Sequence, residues 1–135
     1  MIDFTIPNLE LVNATNEHCH WRKRQARAKA QRGGARISTA VRVSVALRDA
    51  SHWLHGPLLV TITRIGPRRL DDDGATASAK PIRDGIADAL GIDDRDPRVT
   101  WRVEQARGGV REYGVRVTIE QRSTCPHCGA ARGAA

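Results

Sequence analysis

Arg68-Arg69-Leu70-Asp71-Asp72-Asp73-Gly74 sets three adjacent carboxylates behind two arginines, and Lys80, Asp84 and the pair Asp93-Asp94 follow downstream. Adjacent like charges repel, so such a cluster needs a use, and holding a divalent cation is the commonest one. If Asp71 and Asp73 lie in extended chain at the end of a strand, they point to one side as residues i and i+2 do, with Asp72 pointing the other way. The two could then share one Mg²⁺, or Mn²⁺ in its place, and Asp93 or Asp94 would fold back as a third ligand. Lys80 would contact a phosphate or the charge that develops on it. The chemistry this implies is phosphodiester hydrolysis, with the cation activating water and neutralising the leaving oxygen.

A plainer reading of the same residues stays open. Three aspartates ahead of a helix can cap it and complement its dipole. Lys80, Asp84 and Asp88, at i, i+4 and i+8, can form an exposed ion-paired face worth a few tenths of a kcal/mol.

The elements that would position these groups follow from hydrophobic period and breakers. Residues 2–6 read as a short strand stopped at Pro7-Asn8, and Leu58 to Ile65 as a β run closed by Gly66-Pro67. A helix is expected from about Asn16 to Arg32, capped by Thr15 or Asn16 and broken or kinked at Gly33-Gly34. Residues 35–50 fit helix on the spacing of Ile37, Val41 and Val45, although Val41, Val43 and Val45 also alternate as a strand would. His52 to Pro57 reads as a turn. A further helix covers roughly 79–90, with Ile82, Ile86, Ala89 and Leu90 on its apolar face and Gly91 as its stop. Strands are expected near 99–105 and 112–120, joined by the turn Ala106-Arg107-Gly108-Gly109. The sum is an α/β domain over residues 1–121, about four strands in a mixed sheet with two or three helices, followed by a tail over 122–135.

The ordered run from Val60 to Val99 resembles the RusA-like Holliday junction resolvases, small phage- and prophage-associated endodeoxyribonucleases. The family pattern is Arg-x-x-Asp-x-Asp-Asn, a Lys, Asp-(Gly/Ala)-Leu/Ile and then Asp-Asp. Here it is met by Arg68 to Asp73, Lys80, Asp84-Gly85-Ile86 and Asp93-Asp94. The resemblance implies a compact RusA-like fold and a Mg²⁺-dependent homodimer that nicks four-way DNA junctions symmetrically. It assigns Asp71 and Asp73 as the metal pair, Asp94 as the third carboxylate and Lys80 as the catalytic lysine. One position departs from the pattern: Gly74 stands where the family has Asn. A glycine cannot hydrogen-bond to hold the ligand loop and is expected to loosen it.

The chain carries a formal net charge of +7, which favours a polyanion as partner. Arg22, Lys23, Arg24, Arg27, Lys29 and Arg32 crowd one predicted helix without compensating acids, and phosphate contact is their expected role. Arg68 and Arg69 are placed to hold the scissile backbone. Trp21, Trp53 and Trp101 are expected in the core or at a dimer interface, because aromatics at 4% make no platform for stacked bases. Cys125-Pro126-His127-Cys128 supplies two thiolates of the four ligands that a structural Zn²⁺ needs. His18, Cys19 and His20, or a second subunit, could complete the site, and an unstructured tail is the alternative. His52 and His55 are expected as surface residues.

No apolar run approaches the ~20 residues that span a bilayer, and Met1-Ile2-Asp3-Phe4 lacks the start of a secretory signal, so a cytoplasmic location without a membrane partner is expected. The reading is a metal-dependent junction endonuclease. Its rival is a non-catalytic DNA-junction-binding module with a decayed site and a zinc-binding tail.

Overall fold

A computed structural model of the chain describes residues 1–13, 18–49 and 57–122. The predicted helix cap at Thr15 or Asn16, the turn with His52, Trp53 and His55, and the tail with Cys125, His127 and Cys128 lie outside the described residues. The elements run β1 (Ile2–Pro7), α1 (Trp21–Asp49), β2 (Leu58–Gly66), α2 (Asp72–Ser78), α3 (Lys80–Leu90), β3 (Val99–Arg107) and β4 (Gly114–Gln121). The strands form one mixed sheet in the order β1-β4-β2-β3. β4 is antiparallel to both of its neighbours, whereas β2 and β3 run parallel across the α2–α3 connection. Adjacent parallel strands need such a crossover, and the acidic motif sits in it. The predicted turn after Ala106 does not pair its two strands, because β2 lies between β3 and β4.

Three inward rows run across all four strands. Ile2, Ile119, Val60 and Trp101 form the first, and Phe4, Val117, Ile62 and Val103 the second. The third begins with Ile6 and Val115 and ends with Arg64 and Gln105. Two rows are apolar throughout and make the core with Ile82 and Ile86 of α3. The third turns polar at the end from which the acidic loop departs.

α1 is continuous across Gly33-Gly34, where the sequence predicts a break. Neither glycine has a positive φ, and a Cβ at either would meet no atom within 4 Å. Tertiary packing carries the helix over the pair. Ala35, Thr39 and Val43 form the buried face, and α1 crosses α3 where Gly85 lies against the Arg32 carbonyl and Ala35. The stripe Ile37, Val41 and Val45, which suggests helix in the sequence, lies on the exposed side at 62%, 58% and 54%. Pro81 sits in the first turn of α3, and Gly91, at φ 67°, closes it in the left-handed conformation. Among the described residues no helix is long and apolar enough to cross a membrane.

Candidate functional site

The loop that carries the aspartates is clamped from below by the polar end of the third row. Arg64, 5% exposed, donates through Nε to the Leu11 carbonyl at 3.1 Å and through Nη1 to the Arg68 carbonyl at 2.7 Å. Gln105 grips Leu70 at both ends: the Leu70 N–H donates to Oε1 at 2.8 Å, and Nε2 donates to the Leu70 carbonyl at 2.9 Å. Two strands thus fix the backbone just ahead of Asp71. Sequence reasoning missed both residues. Their signal is an arginine and a glutamine at inward positions of alternating strands, where apolar side chains are the rule.

Asp71 does not continue an extended run with Asp73. It is the N-cap of α2, and its Oδ1 accepts from the Gly74 N–H at 3.1 Å. Asp72 and Asp73 form the first helical turn, where negative charge is favoured by the helix dipole. The i, i+2 alternation expected of a strand is therefore lost, and the capping reading describes this conformation. All three side chains are exposed. Gly74 is not a loose point. It is buried inside α2, and a Cβ there would collide with Asp71 Oδ1 and stand 2.7 Å from Asn13 Nδ2. The Asn13 amide occupies the space that a longer side chain at position 74 would need.

Lys80 and Asp94 line one cleft of ≈ 370 Å³ with Thr76, Arg83 and Trp101. Lys80 Nζ is paired with both Asp84 oxygens at 3.1 Å, as the plain reading of the i, i+4 spacing has it. The Asp94 backbone is held from two sides: its carbonyl accepts from Arg83 Nη2 at 2.8 Å and from Trp101 Nε1 at 3.0 Å. Arg83 in turn lies 5.1 Å over the Trp101 ring. Asp93 instead accepts from the Arg95 N–H at 2.8 Å, and this bond holds its carboxyl below the usual range. Asp93 shapes the turn, and Asp94 faces the cleft.

The carboxylates Asp71, Asp73 and Asp94 suit Mg²⁺ in donor type. Among the described residues, however, no three His, Cys, Asp or Glu side chains lie close enough together to hold a metal ion. The expected ligands are thus not gathered in this conformation.

Neighbouring hollows share walls with this cleft. Ala77 and Lys80 also line a groove of ≈ 430 Å³ toward α1, where Lys29, Arg32 and Asp84 join them. On the other side Thr76 and Val103 border a hollow of ≈ 350 Å³ that holds Asp72, Arg69 and Glu104. Arg69 and Gln105 lead on into a cavity of ≈ 460 Å³ lined by Arg64, Arg68 and Arg107. Together these adjoining hollows make a path around α2, with Lys29, Arg32 and Asp84 at one end, four arginines at the other and mixed charge between them. Asp72 is the member of the acidic run that lines it.

The basic helix divides. Lys29 is exposed and lines the path, whereas Arg32 is engaged with Asp88 at 2.7 and 2.9 Å and ties α1 to α3. Arg22 lies 5.5 Å over the exposed Trp21 ring; Lys23 is exposed, and Arg24 and Arg27 are half-buried. Trp21 is at the surface rather than in the core, and Trp101 is half-buried beside Asp94.

No family model matches the chain. It is similar to a Xylella fastidiosa protein described as uncharacterized, 37% identical over 97 residues. The match takes in 70% of this chain but only 61% of that relative's length, less than two thirds of it.

Proposed function

We propose that this chain is a metal-dependent, structure-selective endodeoxyribonuclease of the RusA-like type, cutting four-way DNA junctions in the cytoplasm during recombination and repair. The observation that carries the reading is the set of adjoining hollows around α2. Lys80 and Asp94 line one cleft, Asp72 of the acidic loop lines its neighbour, and Lys29 at one end and four arginines at the other could receive a DNA backbone. The ordered match of Arg68 to Asp94 to the resolvase pattern supports the same assignment. Asp71, Asp73 and Asp94 would hold Mg²⁺ or Mn²⁺, after turning toward one another. The chemistry such a cation supplies when bound is activation of water and neutralisation of the leaving oxygen. Lys80 would exchange Asp84 for the substrate phosphate, while Lys29, Arg68 and Arg69 hold the strand. Homodimerisation, implied by the resemblance, is supported by the exposed apolar ridge Ile37–Val41–Val45, which a second copy could cover about a two-fold axis.

A second reading has its own support. Asp71 is engaged as a helix cap, and the three ligands are not gathered, which favours a junction-binding module without catalysis. A labelled four-way junction with Mg²⁺ or Mn²⁺ separates the two. The nuclease reading expects cleavage by the native chain, and an Asp73→Asn variant that still shifts the junction but does not cut it. A native chain that shifts the junction and leaves it intact overturns the nuclease and retains the binding module. Asp73 is exposed, so the substitution leaves the fold in place.

A further inference from the structure

We infer that the cavity at the far end of the path is a dedicated phosphate-binding pocket built by Arg64, Arg68, Arg69 and Arg107. Its biological source of phosphate rests on the proposed action on DNA; its chemistry stands on the cavity itself. The pocket lies at the carboxyl ends of the parallel strands β2 and β3, encloses ≈ 460 Å³, and has no carboxylate among its lining residues. Arg69 reaches the exposed Asp72 carboxylate at 3.8 Å, and among the described residues Arg64, Arg68 and Arg107 have no ion-pair partner.

Arg64 is the deciding residue. It is 5% exposed, and its bonds go to two backbone carbonyls. Among the described residues no carboxylate forms an ion pair with it. A buried cation held only by neutral acceptors remains costly, and an anion seated against it relieves that cost. A Cβ at Gly66 would stand 3.0 Å from Arg64 Nη1 and 3.2 Å from Cζ, so glycine lets the backbone pass close against the guanidinium. Gln105 has both amide atoms on Leu70 and acts as wall rather than ligand.

Arg68 and Arg69 reach the pocket from the loop that Arg64 and Gln105 clamp, and Arg107 reaches it from the last position of β3. Planar forks held on fixed backbone match tetrahedral oxyanions with little ordering cost. Arg68 also sits three residues before Asp71, so a phosphate anchored here sets the register of a bound strand against the acidic loop. The shared ligand chemistry is a phosphate group, drawn either from the interior of a strand or from a 5′-phosphorylated end.

The test uses the full-length chain and inorganic phosphate as first probe, followed through the arginine Nε–Hε NMR signals. The signals of Arg64, Arg68, Arg69 and Arg107 should move with one common Kd, while that of Arg98, paired with Asp96, stays in place. Arg68→Gln and Arg107→Gln alter exposed side chains, which protects the fold. Each should weaken phosphate binding about tenfold and lower the salt slope of junction binding by about 0.9. Phosphate that moves none of the four signals, with both variants binding the junction at native affinity and slope, overturns the pocket.

Oligonucleotides with and without a 5′-phosphate then name the source. Tighter binding of the phosphorylated strand assigns a terminal phosphate, and equal binding assigns an internal one; either result keeps the pocket. A junction left uncut by a chain whose arginine signals move removes the nuclease and keeps the pocket. A junction cut and bound normally by both variants does the reverse.

Discussion

The aspartates of this chain meet different fates although their side chains are identical, and local donors decide which. Asp71 accepts from a helix N–H, Asp93 from the Arg95 N–H, and the Asp94 carboxylate lies 4.0 Å from Arg83 Nη2 while its carbonyl is fixed. Asp96 is the most heavily engaged: Arg98 donates to it from the backbone at 2.9 Å and from its guanidinium at 3.1 and 2.8 Å. These bonds bring its carboxyl from the ordinary 3.8 down to about 2. A carboxyl depressed in the folded state stabilises fully above its ordinary value, and that contribution fades as pH falls through the folded value. Asp96→Asn retains an oxygen for the Arg98 N–H and removes only the charge. The variant should melt below the native chain at about pH 6, and the gap should close as pH falls from about 4 to about 2. Thermal melts across that range check it, and a gap independent of pH would show that the ion pair contributes nothing. Because the pair is at the surface, the gap is expected to shrink in high salt as well.

Helix α1 shows where local sequence signals stop being informative. Gly33-Gly34 reads as a breaker by propensity, yet the helix runs through because Ala35, Thr39 and Val43 are buried and α3 supplies Gly85 for a close crossing. The glycines themselves are neither strained nor packed. Replacing one by alanine removes unfolded-state freedom without a clash, so Gly34→Ala should stabilise by about 0.5–1 kcal/mol. Differential scanning calorimetry should show a rise in Tm of a few degrees; a fall would mean that the pair relieves strain. Period and breakers did reveal β1, β2 and α3, whose alternation or i, i+4 pattern coincides with burial and whose ends carry Pro7, Gly66 or Gly91. The stripe Ile37, Val41 and Val45 indicated helix, as found, but it lies on the exposed side while Ala35, Thr39 and Val43 pack. The acidic motif was legible, and capping was one of the two conformations left open for it. What had no local signature is that Gln105 and Arg64, from other strands, hold Leu70 and Arg68 just ahead of it.

At the scale of the whole molecule the path around α2 has its basic ends on different elements, Lys29 on α1 and Arg107 at the end of β3. Neither residue contacts the other, so each can be changed without disturbing its counterpart. Effects of distant, independent sites add in free energy. If one DNA strand fills the path, Lys29→Gln and Arg107→Gln should each lower the salt slope of junction binding by about 0.9, and the double variant by about 1.8. Length of the ligand adds a second discriminant. A strand long enough to follow the path feels both substitutions, whereas one covering only the β2–β3 end feels Arg107→Gln alone. Fluorescence anisotropy with the junction and with a series of strands, each titrated at several salt concentrations, reads both quantities. Arg32 is the internal control on the same helix, since it bridges to Asp88 and holds α1 on α3. Arg32→Gln should therefore reduce thermal stability more than Lys29→Gln does, with the order reversed for DNA affinity. A Lys29→Gln variant whose slope is native at every strand length would confine the DNA to the arginine end and separate the basic helix from the path.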